Sequence, residues 1–77
     1  MTSTQLDTQF RKLGYFLIRR SNVDGAYWFV GSQQTHNGWN CSNLVEAKSL
    51  LGALRDKAEN GGQIIHDGSE WVCVEVA

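Results

Sequence analysis

The stretch Gly25-Ala-Tyr-Trp-Phe-Val-Gly31, GAYWFVG, decides how the fold is read. A strand with one wet face alternates apolar and polar residues. Here Ala26, Trp28 and Val30 fall on one side, Tyr27 and Phe29 on the other, and neither side is polar. Either both faces are covered, or one of them is a surface for a partner.

The neighbouring sequence extends this strand into a sheet. Residues 15–20, YFLIRR, read as a strand that is again apolar in both parities. SNVDG, residues 21–25, is a turn in which Asp24-Gly25 supplies the residue that tolerates positive φ. Residues 26–36, AYWFVGSQQTH, are predicted to run on as one long strand. Asn37-Gly38 is a strong hairpin signal. A two-residue loop there would pair His36 with Trp39 and Gln34 with Cys41, placing Trp28, Val30, Trp39 and Cys41 on one face. The polar residues 32–36 predict a hairpin that projects beyond the sheet, tipped by Asn37-Gly38.

Two helices flank these strands. Residues 3–13 carry Leu6, Phe10 and Leu13 at i, i+4 and i+7, with Ser3 or Thr4 as cap, Arg11 and Lys12 at the negative end and Gly14 as the stop. The main helix runs from Leu44 to about Glu59, within about 43–60. Asn43 and Glu46 resemble a capping box, and Leu44, Ala47, Leu50, Leu51, Leu54 and Ala58 form an apolar stripe. The chain ends in a second hairpin on an Asp67-Gly68 turn. It sets Ile65 beside Val72, Val74 and Val76, and Ile64 beside Trp71 and Cys73.

The expected fold is therefore a small single α+β domain over residues 1–77, in the order α-β-β-β-α-β-β. An antiparallel sheet carries the long helix on one face. The aliphatic side of the last hairpin is the expected seat of the leucine stripe. The Tyr27/Phe29 side would share that layer. The Trp28 side then needs another cover, either Leu6, Phe10 and Leu13 of the first helix or a partner.

Composition bounds the function. The 77 residues are 42% hydrophobic with eight aromatics, enough for a core. There is no proline, no long apolar run and no basic, cleavable start, which predicts a soluble cytoplasmic protein without a membrane partner. Two cysteines are too few for a disulfide-stapled scaffold and read as reduced thiols. Net charge is −1, against a general nucleic-acid binder. The charge is uneven. Arg11, Lys12, Arg19 and Arg20 against Asp7 and Asp24 leave residues 1–38 at +2. Lys48, Arg55 and Lys57 against Glu46, Asp56, Glu59, Asp67, Glu70 and Glu75 leave residues 39–77 at −3.

No catalytic motif is present: no Gly-rich phosphate loop, G-x-S-x-G, H-E-x-x-H or C-x-x-C. His36, Cys41, His66 and Cys73 match a zinc site in number but not in spacing. The acids lie in turns, on the helix surface or along a strand, with Glu75 on the parity of Trp71 and Cys73 near the chain end. These features predict neither enzyme nor cofactor nor metal.

The string Glu46-Ala47-Lys48 at a helix start, behind a helix and three strands, resembles double-stranded-RNA-binding domains over roughly residues 4–58. That resemblance implies nucleic-acid binding with Lys48 as a phosphate contact. The chain departs from the family pattern at Asn43-Leu44-Val45, where those domains place lysines, and in the loop at residues 21–25, which lacks their groove-inserting histidine.

The main expectation is a non-catalytic protein–protein interaction module. Its partner is a larger protein or complex, or a second copy of the chain. Trp and Arg are the residue types interfaces favour. The expected contacts are Arg19, Arg20, Trp28, His36, Asn37, Trp39 and Trp71. Compact, uncatalytic chains of this size are common among phage and mobile-element inhibitors of host machinery, anti-CRISPR proteins included; no motif here carries that comparison.

Overall fold

The computed structural model of the protein describes residues 2–75. The elements follow the expected order: α1 (Ser3–Lys12), β1 (Tyr15–Asn22), β2 (Gly25–Ser32), β3 (Gly38–Cys41), α2 (Leu44–Asn60), β4 (Gln63–His66) and β5 (Trp71–Val74). The strands divide into two antiparallel sheets, β1-β2-β3 and β4-β5, rather than one.

Helix α1 starts at Ser3 as expected, but its cap is Thr2, ahead of the expected Ser3 or Thr4. The Thr2 side chain accepts the Gln5 N–H while the Gln5 side chain accepts the Thr2 N–H, a reciprocal capping box. Helix α2 is capped by Asn43, whose side chain accepts the Glu46 N–H. The Glu46 carboxylate reaches back one residue further than a capping box requires and takes the Ser42 N–H. Residue Ala53 is buried in α2, and Ala58, expected in the stripe, is exposed.

The β1–β2 register pairs Leu17 with Val30 and Arg19 with Trp28. The turn between them is tight: Asn22 faces Gly25, the Asn22 side chain accepts the Asp24 N–H, and Gly25 takes φ 126° as expected. The β2–β3 connection departs from the expected hairpin. Strand β2 stops at Ser32, and Cys41 faces Trp28 rather than Gln34, a shift of six residues. Residues 32–36 coil instead into a single helical turn. The Ser32 hydroxyl accepts the Gln34 and Thr35 N–H groups, Ser32 C=O accepts the His36 N–H, and His36 closes the turn at φ 62°. Short polar residues favoured this local bonding over extending a strand with no partner to pair with.

Gly38 is therefore not a positive-φ turn glycine. A Cβ there would stand 1.8 Å from the Val30 carbonyl oxygen and 2.6 Å from the Gly31 Cα. The backbones approach too closely for any side chain.

Both helices lie on the Trp28 side of the three-stranded sheet. Leu6 and Phe10 of α1, Leu17, Val30 and Cys41 of the strands, and Ala47, Leu50, Leu51 and Leu54 of α2 form one buried cluster. Leu13, Trp28, Trp39, Ile64 and Trp71 pack against it. Helix α1 packs on β1 and on α2, and α2 is the helix that reaches β2 and β3, so the Trp28 side is closed by the two helices together. This corrects the placing of Tyr27 and Phe29 in the layer of the long helix. Helix α2 bridges the two sheets, with most of its packing on β5 and α1.

The last hairpin also reverses its expected facing. Its loop spans residues 67–70, and His66 faces Trp71, Ile65 faces Val72 and Ile64 faces Cys73. Ile64 and Trp71 turn toward the core, while Ile65 and Val74 face solvent. Val76, expected with them, lies outside the described residues. Trp71 wins the inner side because it brings the larger apolar surface and is anchored there. The Ser49 hydroxyl accepts its backbone N–H and donates to the Glu46 C=O.

Candidate functional site

With both helices on one side, the other side of β1-β2-β3 faces outward. Strand parity places Phe16, Ile18 and Arg20 of β1, Tyr27 and Phe29 of β2 and Asn40 of β3 on it. Two glycines shape this face. A Cβ at Gly31 would lie 2.6 Å from the Phe29 ring and 2.7 Å from the Phe16 ring, so the two rings lie over the glycine. They meet each other tilted at 6.0 Å. Phe29 is reduced to 9% exposure although it lies outside the helix-covered core. The Arg20 guanidinium supplies its remaining cover, 4.2 Å from the ring centroid. His36 adds an edge, tilted on Phe16 at 6.4 Å. Ile18 stays 36% exposed beside them.

This face continues onto a projecting hairpin. Residues 18–26 are all exposed, and Val23 at the tip is fully so, at 101%. The projecting arm is therefore β1–β2, not the β2–β3 hairpin the polar run suggested. No strand of this sheet contains an acid, and neither Arg19 nor Arg20 forms an ion pair among the described residues.

The expected contact residues separate accordingly. Arg20 and His36 join the outer face. Arg19 is exposed on the hairpin with its side chain on the Trp28 side. Asn37 is exposed in the β2–β3 loop, where its carbonyl accepts the Ser32 N–H. Trp28, Trp39 and Trp71 are half-buried against the core, and Trp39 packs on Tyr15 at 5.8 Å. They are structural more than available for contact. Sequence reasoning missed Phe16, Ile18, Tyr27 and Phe29; the spacing of Gly31 and Gly38 opposite Phe16 was the signal for them.

The titratable groups chiefly serve the frame. Burial alone would raise the Asp7 pKa, but hydrogen bonds from Arg11 and the Leu17 N–H, with the Arg11 charge, hold it below its usual value. The Ser42 N–H lowers Glu46, against burial and with help from His66 at 3.3 Å. Gly68 N–H points at His66 Nδ1, leaving Nε2 to donate to Glu46. Burial pushes the Cys41 thiol up to about 11; the Trp71 indole N–H opposes this and the Glu46 charge adds to it. That indole N–H is buried without an oxygen or nitrogen acceptor and has the weakly accepting Cys41 sulfur as its neighbour. The backbone N–H groups of Glu70 and Ser69 lower Asp67 in the hairpin loop.

Among the described residues, no three metal-ligating side chains converge. A shallow depression of 320 Å³ beside Tyr27, lined also by Asn22, Asp24, Asn40 and Ser42, contains a single carboxylate. No described helix is long and apolar enough to cross a membrane. Lys48 is exposed on the first turns of α2, where Leu44, Val45 and Ala47 bring no second cation.

The chain matches no family model, no curated protein and no solved structure.

Proposed function

We propose that the protein is a non-catalytic protein–protein interaction module that engages a larger cytoplasmic partner through the outer face of the β1–β2 hairpin. One observation carries this reading: Phe16, Ile18, Tyr27 and Phe29 form an aromatic and aliphatic face with Arg20 stacked on it, while both helices lie on the opposite side. Aromatic and arginine side chains in one patch are the usual anchors of an interface.

A second copy is the weaker occupant. Three strands at a spacing of about 4.8 Å and up to about 27 Å long give roughly 400 Å² of face. A stable dimer buries about 800 Å² per partner. Blocking a host complex, as phage inhibitors and anti-CRISPR proteins do, is the form we propose this binding takes, on the ground of size and compactness alone.

The test is affinity capture from a host-cell lysate, followed by direct binding to the purified captured protein. Ile18→Glu and Arg20→Glu are expected to weaken that binding at least tenfold with unchanged circular dichroism. Binding unaffected by both variants would overturn the assignment of this face. Retention of nuclease-sensitive nucleic acid, lost in Lys48→Glu, would favour the RNA-binding alternative instead.

A further inference from the structure

We propose that the free edge of β1 at Arg19–Ser21 accepts an added strand from an extended acidic segment of the partner. This rests on the interaction reading and specifies how the partner is held.

The edge follows from the ladder. In an antiparallel pair, alternate residues point their N–H and C=O groups toward the neighbour and away from it. The Leu17 N–H points away from β2, because the Asp7 carboxylate of α1 accepts it at 2.9 Å. The Ser32 N–H bonds Asn37 across the β2–β3 side, so the odd-numbered residues of β2 face β1, in agreement. Arg19 and Ser21 share the parity of Leu17, and their backbone groups therefore point outward too. Helix α1 closes this edge at Leu17, and Gln33 closes it at Tyr15 by donating to its C=O. Beyond Leu17, no described hydrogen bond reaches the Arg19 or Ser21 backbone. Both residues are exposed.

Charge names the occupant. Arg19 and Arg20 are consecutive, so their side chains stand on opposite faces of the sheet. In a strand added beside them, two consecutive residues would likewise stand on opposite faces, one near each guanidinium. With no carboxylate in β1, β2 or β3 to neutralise them, the pair calls for two adjacent acids. Ile18, exposed on β1 next to this edge, adds an apolar seat for a flanking aliphatic residue. Two outward residues give at most four backbone hydrogen bonds, so the mode suits a short segment. The rival reading is that the arginines only guard the edge against self-pairing. It predicts that no strand docks.

The probe is an eight-residue valine–threonine peptide with two adjacent central glutamates, titrated into the full chain. Amide exchange by NMR is expected to slow at Arg19 and Ser21 and to stay unchanged at Leu17, already bonded to Asp7. The Arg19→Gln/Arg20→Gln variant should raise the Kd at least tenfold, as should replacing the glutamates with glutamines. N-methylating one alternate set of peptide amides should abolish binding, and methylating the other set should leave it within about twofold. No protection at Arg19 and Ser21, or equal effects of the two methylation patterns, would overturn the proposal. If the captured partner needs Ile18 and Arg20 yet leaves those two amides unprotected, the edge mode fails while the interaction reading stands. If neither peptide nor partner binds, both fall.

Discussion

Gly31→Ala probes whether the outer face is built as described. Gly31 has no positive φ, so alanine meets no backbone barrier there. The cost is steric: the new Cβ would stand 2.6 Å from the Phe29 ring and 2.7 Å from the Phe16 ring. Overpacking of this kind costs about 1–3 kcal/mol. Alanine returns about 0.5–1 kcal/mol by restricting the unfolded chain. The net is a loss of up to about 2.5 kcal/mol; a mid-range loss of about 1 kcal/mol lowers Tm by roughly 4–8 °C for a domain of this size. Thermal unfolding followed by circular dichroism measures it. The displaced rings should also raise binding of a hydrophobic dye, since Phe29 would lose its cover. Adding Phe16→Ala should recover part of the loss, because it removes one of the two clashing rings. A raised Tm in Gly31→Ala, or an unchanged Tm with unchanged dye binding, would refute the seating of both rings on this glycine.

Gly38→Ala should be worse, because the atoms it meets are the Val30 and Gly31 backbone, which cannot swing away. Its Tm should fall further than that of Gly31→Ala. Asp7→Ala should cost about 1–3 kcal/mol in urea unfolding, since it strips the acceptor from the Leu17 N–H. Asp7 and Glu46 both titrate below their usual values when folded. Their stabilisation is full above the unfolded values near 4 and is lost as pH falls through the lower folded ones. Urea midpoints between pH 6 and 2 should show that loss, and Asp7→Asn should flatten it. Cys41, 1% exposed with its pKa at about 11, should resist a thiol reagent at pH 8 until the protein unfolds, while Cys73 reacts first.

The sequence alone determined the element order and which residues share a face. Asn43, Gly25 and the leucine stripe mark their elements through local bonding and local periodicity, and these survive whatever the chain packs against. Face sharing survived even where the register moved. Cys41 shifted by six residues and the last hairpin by two, and an even shift leaves every side chain on its face. Trp28, Val30, Trp39 and Cys41 therefore stand together as their parity requires. The loop at residues 32–36 was illegible as a helical turn, because a polar stretch reads equally well as an outlying strand.

Only the tertiary structure decided which face is covered. GAYWFVG is apolar on both sides, so its alternation holds no preference. The choice falls to the helices, which both settle where Trp28, Trp39 and Trp71 offer the larger area to bury. The opposite face is left with rings folded over Gly31 and Arg20 laid on Phe29. The expectation had that side packed under the long helix. That reversal moves the candidate site from the tryptophans to Phe16, Ile18, Arg20, Tyr27 and Phe29, for which Gly31 and Gly38 opposite Phe16 were the signal in the sequence.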